Sequence, residues 1–228
     1  MESKCQDGLG IKICKPVRPS SQLLAPSPHV PSVVRRSFAV VLLLLTACLA
    51  DSSPIGIRDA AIIAVLQSTG IRRDEAASGL IERYDPGERA FKVIGKGNKE
   101  RTVYIHPSAV PYLDRWLAVV GSRRGPMFRS VDRWEHVSDR RLSARSVGMI
   151  VDHRRQQAGL QPASTHDFRR TFIGDFIDAG GDLVQAQQLA GHSSATTTAR
   201  YDRRPGRERR AAVDRLNLPS PDDLLRSD

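Results

Sequence analysis

Two apolar runs in quick succession limit what this chain can fold into. The first is Phe38–Ala50, FAVVLLLLTACLA, behind Arg35 and Arg36. The second lies within Arg58–Ser68, RDAAIIAVLQS. Asp51-Ser52-Ser53-Pro54 breaks the first run and supplies capping groups for the second. A membrane-spanning helix needs roughly 18 or more apolar residues, and the first run is shorter. A secretory signal would lie closer to the N-terminus. Phe38–Ala50 is therefore expected as a buried helix of a globular core, with Arg58–Ser68 as a second one stopped by Gly70. The competing reading is a membrane-attached protein using Phe38–Ala50, which solubility without detergent would end.

The rest of the chain reads as mainly helical around a small sheet. Residues 1–34 are rich in Pro and Ser and lack periodicity, so they are expected as a disordered arm or linker. One domain is expected over 35–218, with 219–228 as a tail. A short helix begins near Arg72, with Asp74 and Glu75 in its first turn, where acidic groups suit the positive end of the helix dipole. Leu80–Tyr84, Ala90–Ile94 and Arg101–Ile105 read as short strands, separated by Asp85-Pro86-Gly87 and Gly95-Lys96-Gly97-Asn98. Helical patterns return over Ser108–Val120, over Ser143–Ala158 and over Thr165–Ala179, which has a Thr cap. They continue over Asp182–Leu189, with an Asp cap, and near Ala195–Tyr201 and Arg207–Leu216. The expected fold class is mainly α with a small three-stranded antiparallel β-sheet (α+β).

Lys and Arg number 35 against 25 Asp and Glu, a formal net charge of +10. That surplus favours a polyanionic partner, nucleic acid before an anionic membrane surface. A solvated basic surface explains composition equally well. The cysteines Cys5, Cys14 and Cys48 are odd in number and lack metal-ligand spacing, which argues against a disulfide framework or zinc site. A reduced, cytoplasmic protein is expected.

Four separated islands carry groups suited to one anion. TGIRRDE, Thr69–Glu75, places Arg72 after a Gly turn at a helix start, where its fork can meet a phosphate. VIGKGNKERTVYI, Val93–Ile105, puts Lys96 between glycines at a hairpin tip, able to enter a DNA groove and donate a proton; Lys99 is its rival. THDFRRTF, Thr165–Phe172, sets His166 and Arg169 three apart, on one helical face, with Asp167 and Arg170 turned elsewhere. LAGHSSATTTARYDRR, Leu189–Arg204, has His192 after a Gly and Tyr201 nine positions on. Each island has a plain alternative: a surface ion pair, a solvated hairpin tip, a helix-capping His, a surface Tyr. A phenol with a pKa of about 10 attacks at neutral pH only with a base or cations nearby.

In this order and at these intervals, TGIR, GKGNKER, HDFRRTF and GHSSATTTARY resemble the boxes of the tyrosine recombinase (phage integrase) family, from about Val40 to Asn217. The resemblance implies the catalytic-domain fold of that family and a site-specific DNA recombinase of a mobile element or chromosome. Tyr201 would attack the scissile phosphodiester and form a 3′-phosphotyrosine. Arg72 and Arg169 would hold the non-bridging oxygens, and His192 would donate to the same centre. Lys96 would protonate the departing 5′-hydroxyl, His166 would assist proton transfer, and Glu75 would support the first box. No cofactor and no metal are implied. Partners would be double-stranded DNA, accessory proteins and three further copies in a tetramer joined through the C-terminal helix, whose stripe is Ala211, Ala212, Val213, Leu216 and Leu218.

Family members carry a helical core-binding domain ahead of the catalytic one, and residues 1–34 leave no room for it, so it is expected to be absent. That absence supports a second reading: a truncated, catalytically silent DNA-binding remnant of an integrase. A type IB topoisomerase shares the mechanism, but the integrase-like boxes favour the recombinase.

Overall fold

The computed structural model describes residues 32–192 apart from 96 and 163. Its organising element is α2 (Pro54–Thr69), against which α1 (Ser32–Leu49) packs. Every residue of α2 from Arg58 to Leu66 is buried, as a helix apolar on nearly all sides must be. Its ends are set chemically. Ser53 Oγ accepts from the amides of Ile55 (3.2 Å) and Gly56 (3.4 Å), and Pro54 sits where its missing N–H costs nothing. Gly70 ends the helix in the left-handed region at φ 61°, and a Cβ there would lie 2.4 Å from Phe172 Cδ1.

A short α3 (Arg73–Ala77) comes next, then β1 (Tyr84–Asp85), β2 (Ala90–Ile94) and β3 (Glu100–Tyr104) in an antiparallel β1-β2-β3 meander. The register pairs Tyr84 with Phe91 and Phe91 with Val103, placing these buried side chains on one face. α4 (Val110–Val120) packs on α2 and buries Leu113 and Trp116, whose indole donates to Met127 O at 2.8 Å. A second hairpin, β4 (Arg129–Val131) and β5 (Val137–Arg141), leads into α5 (Ala144–Gln157), α6 (Thr165–Asp178) and α7 (Leu183–Ala190). α6 lies against α2, and α7 against α6 and β3. The mainly helical α+β expectation holds.

Several expectations need correction. The stretch read as a strand over 80–84 keeps only Tyr84 in β1. Leu80 bridges Pro126, Ile81 donates to Gly125 O, and 81–83 form a 3₁₀ turn, so this segment pairs with 125–127 before it can join the meander. The hairpin over 129–141 was not expected, because its strands are polar and half exposed and lack the apolar alternation that marks a strand. Its turn is built by Asp132, which accepts from the amides of Trp134 and His136. The cap of α6 is Ser164, with Thr165 already its first helical residue. The helix expected over 38–50 exists as α1, beginning at Ser32, just inside the stretch read as an arm. It is not wholly buried: Leu44 and Cys48 are covered, whereas Phe38 (43%) and Leu43 (47%) stay exposed, because α2 and α5 meet α1 on one side only. Burial pushes the Cys48 thiol up to about 12. Among the described residues no helix is long and apolar enough to cross a membrane. The remaining arm and the helices expected near 195–201 and 207–216 lie outside the described residues.

Charge ties α5 into this core. Arg154 Nε meets Asp59 Oδ2 at 2.8 Å, and its Nη2 meets Asp51 Oδ2 at 2.7 Å. Arg58 grips the other oxygen of Asp59 at 2.8 Å. Asp59→Asn, which removes the charge that buried Arg58 and Arg154 share and leaves Arg154 only Asp51 as an ion-pair partner, is expected to destabilise by about 3 kcal/mol, read as a lower urea midpoint at unchanged slope.

Candidate active site

The site gathers at the joint between α2 and α3, where the chain leaves Gly70 and presents Arg72 at the cap of α3. Glu75, one turn in, accepts the Arg72 amide at 2.8 Å and Arg72 Nη1 at 2.9 Å. Glu75 is buried to 3% exposure and also takes both terminal nitrogens of Arg101, at 2.8 and 2.7 Å. Burial alone would push this carboxyl up. The N–H groups of Arg101 and of the Arg72 backbone prevail and hold it below its ordinary value.

The opposite wall is the end of α7. Gly191 closes that helix at φ 62°, again left-handed, and the last carbonyls of any helix lack intrahelical donors. Here they receive arginines: Leu189 O from Arg101 Nε at 2.8 Å, Ala190 O from Arg169 Nη2, and Gly191 O from Arg72 Nη2 at 3.1 Å. Arg169, buried to 3% exposure on α6, also donates from Nη1 to Gly70 O at 2.8 Å, joining the two walls. Such cations suit the negative end of a helix dipole.

His192 comes directly after Gly191. Burial first, then the positive charges of Arg169, Arg72, His166 and Arg101, push its imidazole down to about 4. It is therefore neutral near pH 7 and keeps one N–H donor and one lone pair. His166, exposed at the start of α6, shares a polar cleft of about 360 Å³ with Arg72, Arg73, Asp74, Ser164, Thr165 and Arg169. Asp167, beside it in sequence, turns away to accept from Ser164 N at 2.7 Å.

The structure thus brings Arg72, Glu75, His166, Arg169 and His192 together. Lys96 and Tyr201 lie outside the described residues. Lys96's neighbour Gly95 is close to the cluster: a Cβ there would come within 3.2 Å of Glu75 Oε1. Sequence reasoning missed Arg101. Its signal was the strand register, which pairs it with buried Val93 and so turns a charged residue toward the interior. Among the described residues no group of three or more His, Cys, Asp or Glu side chains is placed to hold a metal ion. The cleft, lined by the guanidinium groups of Arg72, Arg73 and Arg169 with His166 beside them, is suited to a tetrahedral oxyanion.

The sequence model described as the phage integrase family matches residues 37–205. With that match over most of its length, the chain belongs to the phage integrase family. It is 36% identical over 147 residues to tyrosine recombinase XerC of Leptospira interrogans, covering 64% of this chain and 46% of the relative. The chain spans about half the length of the curated relatives it matches first. Among solved structures, XerA recombinase superposes with TM-score 0.62 at 24% identity, covering 89% of this chain and 70% of that one. XerH recombinase bound to its difH substrate superposes with TM-score 0.60 at 20% identity, covering 78% and 53%. These likenesses show the fold, a tyrosine recombinase catalytic domain.

The His192 imidazole is expected to titrate near pH 4 in the free protein, read by NMR of the ring protons. Because its folded value lies below the ordinary 6.5, the unfolded chain takes up its proton first. The stability contributed by neutral His192 is present above pH 6.5 and lost as pH falls from there toward 4. His192→Gln should flatten that part of the stability–pH curve.

Proposed function

We propose that this chain is the catalytic domain of a site-specific DNA recombinase, cutting and rejoining duplex DNA through Tyr201. The observation that carries the reading is the convergence of Arg72, Arg169 and His192 on one helix end beside a polar, arginine-lined cleft. The XerH structure, solved on its difH substrate, supports duplex DNA as the partner. The net charge of +10 fits it as well.

On this reading the Tyr201 oxygen attacks the scissile phosphorus while the bond to the 5′ oxygen breaks. The phosphodiester becomes a 3′-phosphotyrosine, and the 5′-hydroxyl leaves with a proton from Lys96. Arg72 and Arg169 meet the charge that builds on the non-bridging oxygens, and neutral His192 adds an N–H donor. His166, exposed on the same cleft, takes the phenol proton. Glu75 orients Arg72. Attack by the freed 5′-hydroxyl reverses each change and reseals the strand, so the step needs no ATP. The C-terminal stripe around Leu216 would join four copies on DNA, and the protein would work in the cytoplasm.

The test uses a pool of nicked duplexes with a randomised centre. The wild type should leave denaturation-resistant protein–DNA adducts, and Tyr201→Phe should leave none. Arg72→Ala should slow adduct formation by about 10²–10³-fold. DNA retained without any adduct would identify a silent binding protein instead. Binding should weaken with salt, with a slope of about −0.9 per phosphate contact.

A further inference from the structure

Arg101 stands in the GKGNKER box, yet the cleavage chemistry gives it no task. Its guanidinium is nonetheless heavily committed. Nη1 and Nη2 fork onto the two oxygens of Glu75 at 2.8 and 2.7 Å, and Nε donates to Leu189 O at 2.8 Å. It therefore joins three elements at once: β3, the start of α3 and the end of α7. The fit is tight on the α7 side, where a Cβ on Gly191 would lie 3.0 Å from Arg101 Nη1. Arg72 Nη1 shares Glu75 Oε1 with Arg101, so the position of one guanidinium constrains the other.

We propose that Arg101 is a positioning residue, whose fork on Glu75 and bond to Leu189 O hold Arg72 and the His192 turn in one arrangement around the phosphate. This rests on the recombinase reading. A lysine at this position would keep the charge and lose the fork, since an ammonium cannot span both carboxylate oxygens while reaching a carbonyl. Arg72 would then be drawn further onto Glu75, and the α7 end would lose one of its tethers. Arg101 spends its donors on protein groups, so its loss should leave DNA affinity near that of the wild type.

The experiment compares wild type, Arg101→Lys and Glu75→Gln as full chains. On the duplex that wild type selects from the randomised pool, single-turnover cleavage at saturating protein should fall about 10²-fold in Arg101→Lys. Its DNA affinity and thermal midpoint should stay near wild type. Glu75→Gln, which keeps the shape of the carboxylate and removes the charge at the centre of the fork, should show the same loss of cleavage together with a lowered thermal midpoint. Full cleavage in Arg101→Lys would overturn the proposal, since charge alone would then suffice. So would a rate loss matched by an equal loss of affinity or by unfolding in both variants. A second measurement needs no cleavage: inorganic phosphate titrated against the side-chain Nε–H signals of Arg72 and Arg169. Binding should be about tenfold weaker in Arg101→Lys, and unchanged binding would overturn the proposal. If wild type forms no adduct but binds phosphate in this way, the recombinase reading fails while the role of Arg101 is decided separately. Absence of phosphate shifts in the wild type would overturn the role of Arg101 and leave the recombinase reading to the adduct.

Discussion

A carboxylate buried as deeply as that of Glu75 stays ionised only where donors replace the water it has lost. It receives the Arg72 amide, one terminal nitrogen of Arg72 and both of Arg101. These groups arrive from the start of α3 and from β3, and Arg101 continues to the end of α7. The pairing of sheet and helix is thus decided by an electrostatic requirement as much as by apolar contact. Removing the negative charge would leave two guanidinium groups packed together with nothing between them. The arrangement is consequently all-or-none, and it sets where Arg72 can be.

A second requirement acts on the other wall. Gathering Arg72, Arg101 and Arg169 around one imidazole costs repulsion before any anion arrives, and these charges add to burial in pushing His192 down. Carboxylates facing all three would cancel the repulsion and with it the attraction for phosphate. The α7 end offers a middle course. Its carbonyls, Leu189 to Gly191, are dipoles without formal charge, and each takes one arginine. The cations are oriented and their repulsion offset, yet the site keeps its positive potential. Preorganised donors of this kind need little rearrangement when charge develops on a bound oxyanion.

Much of the fold is legible in the sequence because its punctuation is chemical. Ser53, Ser143 and Asp182 accept the first amides of their helices, and Gly70 and Gly191 take the left-handed stops that other residues resist. Features that depend on a distant partner escape. The segment before Tyr84 has strand-like residues, but 125–127 claims its hydrogen bonds. The hairpin over 129–141 carries its turn in one Asp and has almost no apolar alternation to announce it. For α1, hydrophobicity states what would favour burial, and only the layout of α2 and α5 states how much is covered.

The site divides in the same way. Arg72, Glu75, His166, Arg169 and His192 are visible as boxes, since each sits beside a turn or cap that fixes its local direction. Their meeting is not visible, because Arg72 and Gly191 bond across 119 positions of chain. Arg101 lies between these cases. Strand alternation alone puts it on the face of Val103, and an arginine on a buried face calls for a carboxylate nearby. The first box ends in two carboxylates, Asp74 and Glu75, so charge and alternation together could have joined the two boxes without choosing between them. The frame completes the link: Arg169 bonds Gly70 O, the stop of the fully buried α2. The same glycine that ends the core helix therefore also fixes the start of the site, and packing and chemistry share a single backbone position.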